Sequence, residues 1–234
     1  LIAVVRALGV VIWSILMISS SLVVLLFTWN TRWPVAMARC MWAPGVLWVC
    51  GIRLEVSSAA QLTDDSYVFV ANHQSYVDIP LLFRAIPHNL HFVAKKELKK
   101  VPFLGWYMMA TGMIFIDRSN RNKAIESLRR AARLISKGKS VLMFPEGTRS
   151  KNGQVSPFKK GPFMLAKDAG VKVVPVGIDM PDHTYHVGRF GVTHVKVAIG
   201  APVTYEQDEH VSKLIDAVHA QVEQLSARGV RVSG

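Results

Sequence analysis

Hydrophobic and polar positions divide the chain at about residue 51. Before that point only Arg6, Arg32 and Arg39 are charged, and the 25 residues from 7 to 31 are uncharged throughout. An α-helix rises about 1.5 Å per residue, so this run is long enough for the ~30 Å hydrocarbon core of a bilayer. A second apolar segment covers 33–51. Pro34 suits the first turn of a helix, Arg39 lies inside the run, and Pro44-Gly45 is expected to kink or break it. The segment therefore reads as interfacial or re-entrant rather than spanning. Five of the six tryptophans (Trp13, Trp29, Trp33, Trp42 and Trp48) fall in this part, and tryptophan favours the membrane–water boundary. The competing reading is a hydrophobic hairpin buried in a soluble protein.

After residue 51 the pattern changes. Positions 52–56 alternate as in a half-buried strand, and 67–71 is a continuous apolar run of strand length. A helix is expected over 77–86 and short strands over 91–94 and 113–116. A longer helix is expected over 121–137, where Ile125, Leu128, Ala132 and Ile135 recur at helical spacing. A strand at 140–144, a helix at 161–169, strands at 171–176 and 192–199, and a helix at 206–227 complete the chain. Strands alternating with helices predict an α/β fold, a mostly parallel sheet flanked by helices. The expected organisation is a membrane-associated two-helix anchor over 1–51 and one α/β body over 52–234.

Composition adds the sign of the surface. Half of the 234 residues are hydrophobic and 19% are charged, which excludes a disordered chain. The formal net charge of +12 is concentrated: residues 81–160 hold 17 Lys/Arg against 4 Asp/Glu, and the remainder holds 11 against 12. Such a field attracts phosphates, nucleic acid or an anionic membrane surface. It carries no nucleic-acid recognition motif, so no nucleic-acid partner is expected. Two cysteines, Cys40 and Cys50, cannot staple a secreted scaffold and read as small buried hydrophobes.

Four blocks carry candidate chemistry. The apolar strand at 67–71 runs into Asn72-His73-Gln74-Ser75-Tyr76-Val77-Asp78. His73 then emerges at a strand end, where sites form in α/β sheets. A tight turn brings the Asp78 carboxylate to one ring nitrogen and leaves the other free as a base. The second block, Gly112 to Asn120, is a strand ending in Asp117-Arg118. The third is Phe144-Pro145-Glu146-Gly147-Thr148-Arg149-Ser150, where Gly147 lets backbone approach a ligand and Thr148 and Arg149 offer phosphate donors. The fourth, Val174-Pro175-Val176-Gly177-Ile178, is a core strand. Taken singly, each block also reads as an ordinary turn or strand end.

Together, in order and spacing, the blocks resemble the glycerolipid acyltransferase family, and within it the 1-acylglycerol-3-phosphate acyltransferases. The match spans about residues 67–178, and the apolar N-terminal pair resembles that family's membrane-embedded two-helix element. Glycerol-3-phosphate acyltransferases are similar, but they usually have Gly where this chain has Thr148. The resemblance implies that His73 is the general base and Asp78 its partner. It implies that Arg118 holds the acceptor phosphate and that Glu146, Gly147, Thr148 and Arg149 line the acceptor site. It assigns Lys95 to the same phosphate, with Lys96 an equal-looking neighbour.

The implied reaction moves an acyl chain from acyl-CoA or acyl-carrier protein to the sn-2 hydroxyl of 1-acylglycerol-3-phosphate (lysophosphatidic acid), giving phosphatidic acid in phospholipid synthesis. Another lyso-lipid or glycerol-3-phosphate remains an alternative acceptor. A thioester is already activated, so no acyl-enzyme nucleophile is required, and no Gly-x-Ser-x-Gly elbow occurs. No metal site and no resident cofactor are expected, since His183 and His186 lack companions at zinc spacing. The lipid bilayer is the expected partner, with the catalytic part on the cytoplasmic face of the bacterial inner membrane. A non-catalytic basic module anchored on anionic lipid is the rival that uses the same features.

Overall fold

The computed structural model describes residues 1–63, 65–117, 121–150, 152–181, 185–205 and 210–227. Its centre is a seven-stranded sheet: β1 (Ile52–Ser58), β2 (Val68–Ala71), β3 (Leu90–Lys95), β4 (Ile114–Ile116), β5 (Ser140–Met143), β6 (Val173–Asp179) and β7 (Thr193–Ile199). The spatial order is β1-β7-β6-β2-β5-β3-β4. Every neighbouring pair is parallel except β6 with β7. The mostly parallel α/β sheet read from the sequence is therefore the observed one.

β2 lies between β5 and β6, and all four of its residues are buried. Its alternate side chains feed two cores. Phe69 and Ala71 join the core beneath the N-terminal helices, and Val68 and Val70 join the opposite one. A strand buried on both faces reads as an unbroken apolar run, which is why 67–71 showed no alternation. The first face is covered by α1 (Ile2–Thr28), α2 (Arg32–Met37), α3 (Ala43–Val49), α4 (Asp78–Ala85) and α5 (Leu104–Ala110). The second is covered by α6 (Arg121–Ile135), α7 (Gly161–Ala169) and α8 (Val211–Ala227). Of the helix expected over 206–227, residues 206–209 lie outside the described residues.

The N-terminal pair departs from expectation first in its backbone. Residues from Arg32 to Val49 are helical throughout, and the irregularity is a π-helical turn over Ala38–Trp42 rather than a break at Pro44-Gly45. Pro44 has no N–H to give the carbonyl four residues back, and the wider turn just before it absorbs that loss. Pro44 then sits in the first turn of α3. Gly45 matters for packing instead. A Cβ there would collide with the indole of Trp13, so glycine lets α1 and α3 close on each other. Trp13 Nε1 donates to Trp42 O at 3.1 Å, and Trp42 Nε1 donates to Ser14 Oγ at 3.0 Å.

These two tryptophans are therefore internal fasteners, whereas Trp29, Trp33 and Trp48 are exposed. Cys50 is buried as expected, but Cys40, within the π turn, is exposed. Ile18, Val35, Val46 and Leu47 of the pair are buried in the core that holds β2. By length and composition α1 is apolar enough to cross a membrane, yet it packs against α2, α3 and α5. Its Arg6 donates to Arg189 O at 2.8 Å and Gly191 O at 3.2 Å, fixing its start to the loop before β7.

Candidate active site

The site forms where β2 and β5 end. Asn72 follows β2, is buried, and copies a backbone pairing: its Oδ1 accepts from Ile178 N at 2.7 Å and its Nδ2 donates to Ile178 O at 2.9 Å. This fastens the end of β2 to β6 and leaves His73 at the rim. The backbone of His73 is held on both sides by the loop after β5. Its N–H donates to Glu146 Oε1 at 2.7 Å, and its carbonyl accepts from Ser150 N at 2.8 Å. Glu146 Oε2 accepts from Ser156 N at 3.0 Å. The buried Glu146 carboxylate thus braces two loops from behind, a different place from the acceptor-facing one implied by the resemblance.

The turn after His73 delivers Asp78 as the first residue of α4, with no exposed side-chain area. Its Oδ2 lies 2.7 Å from His73 Nδ1 and also accepts from Gln74 N at 2.7 Å and Ser75 N at 2.9 Å. A carboxylate oxygen already receiving two N–H donors can only accept from the imidazole, so Nδ1 carries the proton and Nε2 carries the lone pair. The ring is stacked on Phe144, centroids 4.0 Å apart and planes 16° apart. Nε2 has no hydrogen-bond partner among the described residues, and the side chain keeps 20% of its exposure.

His73 opens on a cavity of about 670 Å³. The size suits a small-molecule or lipid-chain site. Most of its wall is apolar. Met17 and Ile18 of α1, Phe83 of α4, and Leu104 and Met108 of α5 line it, together with Lys95 and with Gly147, Thr148 and Arg149 of the loop that braces His73. Arg149 is held by aromatic stacking, its guanidinium carbon 3.5 Å from the centre of the Tyr76 ring. Gly147 has φ +79°, and a Cβ there would run into the ammonium of Lys159, which rests against this loop. Lys96 pairs with Asp117 at 2.7 Å, whereas Lys95 faces the cavity. That geometry separates the two lysines, which the sequence left equal.

The structure therefore gathers His73, Asp78, Lys95, Gly147, Thr148 and Arg149 at one place, with Glu146 behind them. Arg118 lies outside the described residues. Tyr76 and Lys159 were not singled out from the sequence. Tyr76 falls inside the His73–Asp78 block, and no local pattern marks Lys159. The arrangement offers a histidine with an unpaired ring nitrogen, two cations on the same cavity wall and a largely apolar lining.

A family model for acyltransferases matches residues 53–179. The chain belongs to that family. The 1-acyl-sn-glycerol-3-phosphate acyltransferase of Saccharomyces cerevisiae is 42% identical over 142 residues, covering 59% of this chain and 46% of the relative. The chloroplastic 1-acyl-sn-glycerol-3-phosphate acyltransferase LPAT1 of Arabidopsis thaliana is 34% identical over 155 residues, covering 65% and 43%. The acyltransferase chain thus spans about half the length of the curated relatives it matches. The crystal structure of the 1-acyl-sn-glycerophosphate acyltransferase PlsC from Thermotoga maritima superposes with a TM-score of 0.82 at 26% identity. It covers 100% of this chain and 97% of that one.

Proposed function

We propose that this acyltransferase moves a fatty acyl chain from acyl-CoA or acyl-carrier protein to the sn-2 hydroxyl of 1-acylglycerol-3-phosphate, giving phosphatidic acid. The observation that carries this reading is the His73–Asp78 pair on a mostly apolar cavity that Lys95 and Arg149 also line. The relatives' names support the choice of acceptor. Nε2 of His73 takes the hydroxyl proton as the oxygen attacks the thioester carbonyl, and Asp78 stabilises the imidazolium that results. The C–S bond breaks as the ester C–O bond forms, and the proton passes from His73 to the departing thiolate. Arg149 and Lys95 hold the acceptor phosphate, with Arg118 a further candidate; an arginine fork suits phosphate oxygens and a lysine adds a point charge. A thioester carries its own activation, so the step uses no resident cofactor or metal.

The apolar cavity takes hydrocarbon. α1 and α2–α3 lie in the membrane interface with the outward face of α1 in lipid, and the protein is monotopic on the cytoplasmic face of the inner membrane. The packing of α1 along the body and the bonds made by Arg6 support this placement over a helix that leaves the body to span.

The test is an acceptor panel with purified protein in detergent, both thioester carriers and mass spectrometry of the products. Lysophosphatidic acid should be acylated at sn-2 far faster than lysophosphatidylglycerol, monoacylglycerol or glycerol-3-phosphate. Faster acylation of any of those three would reassign the acceptor.

A further inference from the structure

The 3₁₀ turn at Lys96–Lys100 and α5 carry an aromatic and aliphatic face that no described residue covers. Val101, Phe103, Trp106 and Met109 are 40%, 36%, 52% and 48% exposed. Their direction is fixed by the other side of the helix. Tyr107 and Met108 are buried there, and Tyr107 Oη donates to Pro34 O at 3.1 Å, tying α5 to α2. Single exposed apolar residues are ordinary on a soluble surface. Four within nine positions, with the Phe103 and Trp106 rings paired at 5.2 Å, form a patch.

Phe103 also has φ +60° and ψ −59°, a backbone state that a residue with a Cβ rarely adopts. Strain of that kind is retained where a side chain must be aimed. Here it turns a phenyl ring toward the outside.

We infer that Val101, Phe103, Trp106 and Met109 form a second membrane-contacting lip, which enters the headgroup region of an anionic bilayer beside α1. The inference rests on the membrane placement proposed above and adds a contact to it. Two observations select this occupant. Lys99 and Lys100, both exposed, immediately precede Val101, and the Lys99 backbone lies against Gly105 of α5. An apolar patch beside basic residues matches lipid whose headgroups are negative. The helix that carries Trp106 and Met109 also lies against α1, which presents Val4, Leu8, Val11, Ile15, Val23 and Leu26 outward at helical spacing. Both helices line the cavity that reaches His73. With both faces in lipid, the cavity lies at headgroup depth, and a lyso-lipid enters it without its chain crossing water.

The test reads depth directly, in the full chain. Cys40→Ser removes the exposed thiol; Cys50 is buried and burial raises its thiol pKa, so it stays unlabelled. Trp106→Cys, Val11→Cys on α1 and Glu223→Cys on α8 each receive an environment-sensitive fluorophore. Vesicles mixing zwitterionic and anionic lipid, with and without brominated chains, are then added. The probes at 106 and 11 should shift to the blue and be quenched by bromine, and the probe at 223 should not. A water-like probe at 106 beside a shifted one at 11 overturns the lip and leaves the α1 placement standing. Water-like probes at both positions overturn the lip and the membrane placement together. The paired substitution Lys99→Glu and Lys100→Glu should weaken binding to anionic vesicles by about tenfold or more. Unchanged affinity would show that Lys99 and Lys100 do not hold the lip to anionic lipid.

Discussion

At the scale of single residues, one carboxylate oxygen does two jobs through three contacts. Oδ2 of Asp78 closes the turn by accepting two backbone N–H groups and fixes the tautomer of His73 at the same time. The spacing of five residues follows from this, since the turn is just long enough to fold back on its own strand end. That pair was legible in the sequence because both partners lie within one short block. The contacts of Arg149 were less legible, because its stacking partner Tyr76 comes from another loop. We expect Arg149→Ala to cost about 1.5–3 kcal/mol of transition-state stabilisation with lysophosphatidic acid, the scale of a charged hydrogen bond, and much less with monoacylglycerol. Tyr76→Ala should act in the same direction by about 0.5–1 kcal/mol, by loosening the guanidinium. The check is kcat/KM on both acceptors, and equal losses on the two would show that Arg149 serves the loop rather than the phosphate.

At the scale of elements, strand identities followed from apolar runs, but the seams between elements did not. Asn72 reads as a polar residue after a strand, and only the fold shows it pairing with the backbone of Ile178, more than a hundred residues away. Pro44 signals an irregular helix, yet whether the chain breaks or widens depends on what α1 packs against it. β3 holds a further such case in His91, which has no exposed area and sits with Nδ1 3.1 Å from Asn89 O and Nε2 3.2 Å from Thr111 O. Burial, aided by the charge of Lys139, lowers its pKa to about 4.

The unfolded chain binds that proton near pH 6.5, so between about 6.5 and 4 it holds a proton that the folded protein refuses. His91 therefore withdraws stability as pH falls through this window, by up to about 3 kcal/mol, and withdraws none above it. Urea unfolding at pH 7.5 and 5 should show a clear drop in stability at the lower pH, and His91→Gln should flatten part of that slope. Parallel slopes in the two proteins would place the acid sensitivity elsewhere.

At the scale of the whole molecule, the N-terminal pair supplies part of the cavity wall. Its apolar composition suggested an anchor set apart from the body. The structure adds that Ile18, Val35, Val46 and Leu47 belong to the central core, each worth about 1.5–3 kcal/mol of burial. No periodicity in residues 1–51 distinguishes a face turned to lipid from a face turned to protein, since both are apolar. The shared cavity was likewise invisible in the sequence, because its lining comes from α1, α4, α5 and the loops around His73.

The proposed reaction stands on His73 acting as its base, and the most direct measurement is turnover of His73→Ala with lysophosphatidic acid and acyl thioester. Its fold should be verified by circular dichroism and its vesicle binding by co-sedimentation. The rate should fall by roughly 10²–10⁴-fold, the usual share of general-base catalysis, with fold and vesicle binding intact. A folded, membrane-bound His73→Ala protein that turns over near the wild-type rate would contradict that role for His73.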